Sequence, residues 1–117
     1  MSKIERHQVG PRMSGIVVHN QVVYLSGYVA DSAAGQAVAA QTEDILAQID
    51  KALASVGTDK TRILQATIWL ADIGTFAEMN SVWDKWVSAG NTPTRATVEA
   101  KLAAPKYTVE IRVTAAQ

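Results

Sequence analysis

Residues 63–71 read ILQATIWLA, and whether this run forms a strand or a helix decides the architecture. Counting by twos puts Leu64, Ala66, Ile68 and Leu70 on one side and Ile63, Gln65, Thr67 and Trp69 on the other, the alternation a pleated strand imposes. Neither side carries a charge, so the strand belongs in a sheet covered on both faces. The flanking sequence supplies covering elements. Upstream, Ile45, Leu46, Ile49, Ala52, Leu53 and Val56 recur at three- and four-residue spacing and Gly57 follows, which reads as an amphipathic helix with a glycine stop. Downstream, Thr75 and Glu78 stand at capping-box spacing, and Phe76, Met79, Val82, Trp83, Trp86 and Val87 form the buried stripe of a second helix. Gly90, Asn91 and Pro93 end that period.

Further out, GIVVHNQVVYLSG (residues 15–27) holds two β-branched runs separated at His19-Asn20, where asparagine tolerates the positive φ of a tight hairpin. RATVEA (95–100) and YTVEIRVT (107–114) are the last two strands, the second alternating Tyr107, Val109, Ile111 and Val113 with Thr108, Glu110, Arg112 and Thr114. The predicted order is β-β-α-β-α-β-β, an α+β chain with one sheet. Right-handed crossovers place both helices on one face of that sheet. The other face is then open, with Trp69, or else Ile68 and Leu70, pointing at it. In a chain that is 48% hydrophobic, such a face is expected to meet another copy in an obligate homo-oligomer.

Composition removes several classes of function. Lys plus Arg and Asp plus Glu are both 11, so no cationic field draws in nucleic acid. There are no cysteines, which excludes disulfides, thiolate metal sites and a cysteine nucleophile and permits a reducing compartment. The charged start MSKIERHQVG does not read as a signal peptide, and apolar runs such as GIVV fall far short of the ~20 residues of a membrane span. A cytoplasmic protein of one domain, residues 1–117, is expected. His7 and His19 stand apart from any nucleophile–carboxylate set or metal-ligand spacing, and no glycine-rich phosphate loop is present.

The polar residues left on strands are the candidates for chemistry. In TPTRATVEA (92–100), Arg95, Thr97 and Glu99 share one face and Ala96, Val98 and Ala100 the other. A strand-held arginine offers a planar fork that matches a carboxylate; the alternative is an edge arginine that pairs with Glu99 or Glu110 or faces water. Glu110 either stands near a reacting water or pairs with Arg112. Ser26 and Gly27 end a strand, where backbone can approach a ligand or simply turn. Asn80 interrupts the stripe of the second helix, either to cap a loop or to enter a cleft.

Three stretches, GPRMSGIVVHNQVVYLSG (10–27), AQTEDILAQIDKALASVGTDKTRILQATIWLADIGTFAEMNSVWDKWV (40–87) and TPTRATVEAKLAAPKYTVEIRVTAA (92–116), resemble the RidA (YjgF-type) reactive intermediate deaminase family, and within it the short YoaB-like branch. The resemblance implies a chorismate-mutase-like α+β fold and a homotrimer with a cleft at each subunit boundary. It also implies hydrolysis of 2-imino and enamine acids to 2-keto acids and ammonia, as in a 2-iminobutanoate/2-iminopropanoate deaminase. On this resemblance no cofactor or metal is needed, and the partner is a small carboxylate-bearing metabolite.

By the same resemblance, Arg95 matches the arginine that grips the substrate carboxylate and Glu110 the glutamate that holds or activates water. Ser26 and Gly27 match cleft-lining residues, and Asn80 an asparagine beside them. Two positions depart from the family pattern: Arg12 stands where tyrosine is common after GP, and Thr97 where cysteine is common. If Arg12 points inward it offers a second acidic group a partner; the segment's few anchors favour an outward direction. The alternative function is a trimer that binds a 2-keto acid without turnover, and a pericyclic enzyme on the same fold ranks below both for want of more cations.

Overall fold

The computed structural model describes residues 3–117. Seven expected elements appear in the expected order and two further strands join them. The chain runs β1 (Ile4–Val9), β2 (Ser14–His19), β3 (Val22–Leu25), β4 (Tyr28–Val29), α1 (Val38–Ser55), β5 (Ile63–Leu70), α2 (Phe76–Trp86), β6 (Thr94–Glu99) and β7 (Val109–Ala116). The strands form one sheet in the order β1-β2-β3-β7-β5-β6, and β4 also pairs with β7. Only β5 and β6 are parallel, since α2 carries the chain back between them; the other pairings are antiparallel. The α+β architecture read from the sequence is therefore present.

Burial explains why β5 sits in the interior. Ile68 and Leu70 are fully buried, and Ile68 lies opposite Ile111 of β7, which is also fully buried. Ile45, Leu46, Ile49 and Leu53 of α1 and Met79 and Trp83 of α2 close over this face in one hydrophobic cluster. Both helices thus lie on the same side, as the crossover rule requires. Trp69 takes the other side, half-buried, with the Arg112 guanidinium carbon 5.7 Å from its ring centre. Tyr24, Leu64 and Val98 are exposed; Tyr24 and Val98, through the pairings of Tyr24 with Thr114 and Val98 with Trp69, share that open face.

Four details differ from the sequence reading. The polar start of the chain forms β1, paired with β2 from Ile4 opposite His19 to Val9 opposite Ser14; it is mostly exposed, and charged side chains such as Glu5 and Arg6 on an edge strand discourage further pairing. In β5 an irregularity between Ile63 and Gln65 shifts the register. The extra residue resets the alternation, so Ile63 is buried and Leu64 exposed. Phe76 is exposed and not part of the buried stripe.

The capping box is also replaced. Thr75 makes no side-chain cap on α2; its hydroxyl donates to the Asp72 carbonyl at 2.7 Å. Glu78 accepts from the Ala39 amide at 2.8 Å, so it satisfies the start of the neighbouring helix, α1, and not its own. The hairpin between β2 and β3 turns at Asn20 and Gln21, with φ of 50° and 64°, the two positive values of a type I′ turn.

Two polar side chains hold the loops to α1. Buried Gln41 donates to the carbonyls of Gln36 (2.9 Å) and Lys106 (3.0 Å) and accepts from the Thr108 amide (3.0 Å). Asp44 accepts from the amides of Asp31 (2.7 Å) and Ala33 (3.0 Å) and from the Gln48 side chain (3.1 Å). The Ala33 hydrogen bond, helped by those of Asp31 and Gln48 and opposed by burial, holds the Asp44 carboxyl below its ordinary range.

Replacing Gln41 by Leu strands a buried carbonyl and amide, and the expected loss in a urea titration is about 2–3 kcal/mol. Asp44 acts through pH. Because its pKa is lowered on folding, its contribution is complete above the ordinary carboxylate value of about 4 and vanishes as pH falls through the lower folded value. Protection of the Asp31 and Ala33 amides relative to their intrinsic exchange rates should therefore fall on acidification in the native chain, and Asp44→Asn should remove that acid transition.

Candidate active site

β6 forms one edge of the sheet, and its register fixes where each side chain points. Arg95 pairs with Ala66 and Thr97 with Ile68, both buried on the helix side, so Arg95 and Thr97 leave the sheet toward α2. The Arg95 Nη1 donates to Asn80 Oδ1 at 2.8 Å. Its guanidinium carbon lies 5.2 Å from the Trp83 ring centre and 5.7 Å from that of Phe76, within the range of cation–π attraction. Phe76, Asn80 and Trp83 follow one another at i, i+4 and i+7 and so form one stripe of α2. Burial pulls the Arg95 pKa down and the Asp84 charge partly opposes this; the side chain stays cationic at physiological pH.

Arg95 makes neither of the alternative pairings, with Glu99 or with Glu110. Among the described residues the ion pair within 4.0 Å is Lys3 with Glu5, so Arg95 has no carboxylate in direct contact. Glu99 is engaged elsewhere, accepting from the Ile73 amide at 3.1 Å. One hydrogen bond of the guanidinium goes to a neutral amide, and the rest of its fork is free to take an anion. Beside it, the Thr97 hydroxyl is buried with no hydrogen-bond partner.

Glu110 lies on the other face. It is opposite Trp69 of β5 and Val29 of β4, on the open side of the sheet. Tyr24 pairs with Thr114 while Tyr28 pairs with Ile111, so β3–β4 spends four steps where β7 spends three, a bulge that contains Ser26 and Gly27. The bulge lays the Gly27 backbone against the Glu110 side chain. A Cβ at Gly27 would collide with Glu110 Oε2 and lie 3.0 Å from its Cδ. The Ser26 amide donates to the Gly15 carbonyl at 3.0 Å, which fixes the bulge to β2.

The residues singled out in the sequence therefore form two groups. Arg95, Asn80 and Thr97 stand on the helix side at one edge; Ser26, Gly27 and Glu110 stand on the open side, around central β7. Arg12 belongs to neither within one chain. It is exposed in the turn between β1 and β2, held by the Gly10 amide to the Met13 carbonyl at 2.8 Å, at the sheet edge opposite β6. Trp83 lies in the core as its spacing implies, whereas Phe76 is exposed; their i, i+4, i+7 relation to Asn80 is the sign in the sequence that they flank the same group.

The larger cavities lie elsewhere: a cleft of about 510 Å3 between α1 and α2, with Glu43, Asp50, Lys60, Lys85 and Trp86 on its walls, and one of about 720 Å3 along residues 99–107. No group of three or more His, Cys, Asp or Glu among the described residues is placed to hold a metal.

Comparison with known proteins gives a consistent picture. Residues 7–117 match the family profile described as Endoribonuclease L-PSP. The chain is 47% identical over 113 residues to the RutC family protein YoaB of Escherichia coli K12, covering 97% of each. It is 31% identical over 114 residues to a Bos taurus protein named 2-iminobutanoate/2-iminopropanoate deaminase, covering 93% of this chain and 82% of that one. The crystal structure of a YjgF family member from Neisseria meningitidis superposes with a TM-score of 0.94 at 50% identity, over 98% of this chain and 95% of the other.

The contact between Gly27 and Glu110 can be tested by a double-mutant cycle. Gly27→Ala should destabilise the chain by about 1–2 kcal/mol through overpacking, and adding Glu110→Ala should restore most of the loss. Additive effects in chemical denaturation would show that the two residues do not press on one another.

Proposed function

Since the chain belongs to the Endoribonuclease L-PSP family, that of the YjgF and RidA proteins, we propose that it hydrolyses 2-imino and enamine acids to 2-keto acids and ammonia. The observation that carries this reading is Arg95: a partly buried cation, aimed by Asn80 and two aromatic rings, with no carboxylate among the described residues within 4.0 Å. A substrate carboxylate supplies the missing anion. In the proposed step the Arg95 fork orients the substrate, and water adds to the C=N carbon as Glu110 takes its proton. The π electrons go to nitrogen, which is protonated, and the tetrahedral adduct then expels ammonia to leave the keto acid. Ser26 and Gly27 line the water side, Thr97 offers its unpaired hydroxyl, and Arg12 stands at the rim. The Bos taurus relative bears the name of this activity, and the balance of 11 basic and 11 acidic residues gives RNA no net cationic field.

The arrangement also supports a cyclic trimer. Arg95 and Glu110 leave opposite faces of the sheet, and Arg12 sits at the far edge, so the groups converge only if one copy's edge meets another's open face. A head-to-tail contact of that kind closes into a ring, and it covers the apolar open face. The same separation favours a second reading, in which the Arg95 side alone holds a 2-keto acid without turnover. Pyruvate binding measured by calorimetry, with no acceleration of any imine, would support it.

Imines generated in solution by an amino acid oxidase provide the assay. Arg95→Ala should lower kcat/KM about 100-fold through loss of a charge-assisted carboxylate grip, and Glu110→Gln should lower kcat by about 100-fold with little change in KM. The two inactive variants, unfolded together and refolded as mixed rings, should regain about a quarter of native activity, because one cleft in four then draws both intact residues from different copies. No recovery would place both residues in one subunit's site and overturn the shared cleft.

A further inference from the structure

We propose that Phe76 is a specificity-determining residue that selects monocarboxylates bearing an apolar side chain; this rests on the reading of Arg95 as the carboxylate grip. The two rings beside Arg95 are not equivalent. Trp83 is 5% exposed and belongs to the core, whereas Phe76 is 42% exposed. Both flank the same guanidinium, at 5.2 Å and 5.7 Å. The buried ring can only position Arg95. The open ring has a surface left for a ligand.

The location of that surface follows from the geometry of the grip. A carboxylate taken by a guanidinium fork lies in its plane, with the carboxylate carbon about 4 Å from the guanidinium carbon. The substituent on the α-carbon therefore leaves the fork beside the ring that the guanidinium covers. Ile73, also exposed, stands three residues ahead of Phe76 and is tied to the strand of Arg95 through Glu99. Its turn is fixed by Asp72, which accepts from the Gly74 amide at 2.8 Å. Phe76 thus projects from a rigid helix start, and with Ile73 it offers the substrate side chain an apolar ledge whose burial lowers the free energy of binding.

Charge points the same way. The acidic groups associated with this corner include Asp84, whose field acts on Arg95, Glu99 on the same strand face and Asp72 in the turn before Phe76. A second carboxylate on the substrate would meet these anions, and Arg12 of the same subunit lies away from them at the opposite sheet edge. Alanine-derived imines are too short to use the ledge, and glutamate-derived ones are repelled.

The test compares the native protein with Phe76→Ala and Phe76→Leu on imines made from alanine, leucine and phenylalanine, and on binding of pyruvate, 4-methyl-2-oxopentanoate and 2-oxoglutarate by calorimetry. The native protein should prefer the leucine- and phenylalanine-derived imines and bind 2-oxoglutarate least. Phe76→Ala should lower kcat/KM for those two imines, and affinity for 4-methyl-2-oxopentanoate, by about tenfold more than for the alanine-derived imine and pyruvate, which lose only the ring's part in aiming Arg95. Phe76→Leu should retain most of the preference. Equal losses on all ligands, or none, overturn the assignment of Phe76 while leaving the Arg95 reading intact. Native-level rates and affinities in Arg95→Ala would instead remove the reading on which it rests.

Discussion

The structure turns on a cation held against a helix without an anion. Taking a guanidinium partly out of water costs free energy that a neighbouring carboxylate normally offsets. Here the compensation comes from a neutral amide oxygen and two π faces, all on α2. These contacts aim the side chain without discharging it. Had Glu99 turned to Arg95 and not to the Ile73 amide, the chain would hold its own carboxylate in the site. The parallel pairing of β5 and β6 makes the arrangement possible, because the crossover that joins them is α2 itself. Strand and helix are joined by a short connection, so the unit from Phe76 to Thr97 is assembled largely from local structure.

The second constraint is the period of a strand. Arg95 is inward because its partner Ala66 is inward, and Glu110 is outward because Trp69 is outward. A sheet one residue thick keeps those two groups apart within a chain. The bulge at Ser26–Gly27 works in the same geometry, giving up one ladder step so that a residue without a side chain can lie under the Glu110 carboxylate. On the proposed reading, a second copy of the chain reconciles the two faces, and the apolar residues exposed on the open side supply the burial for that contact. Helix packing, strand pairing and the chemistry of the site are then consequences of one alternation.

Much of the fold was legible in the residues. The alternation in residues 63–71, the three- and four-residue spacing before Gly57 and the apolar run after Thr75 each gave the correct element. Errors arose where one residue had two possible partners. Glu78 fits a capping box by spacing, yet it caps α1 because the amide of Ala39 lies within its reach in the packed pair of helices. Leu64 follows the pattern of β5 on paper, but a bulge resets it. The start of the chain lacks an apolar face, so nothing local marked it as a strand; its pairing with β2 is what makes it one.

By itself the sequence determined seven of the nine elements, most of the residues that share a face of each strand, and the identity of the residues with chemistry to offer. It did so because periodicity and residue type are local properties. The tertiary structure alone decided that Arg95 is paired with Asn80 and two rings in place of a carboxylate, that Glu110 lies across the sheet from it, and that Arg12 stands at the far edge. Those facts depend on strand order and register, and they are set by contacts between segments distant in the chain, where no local pattern records the partner.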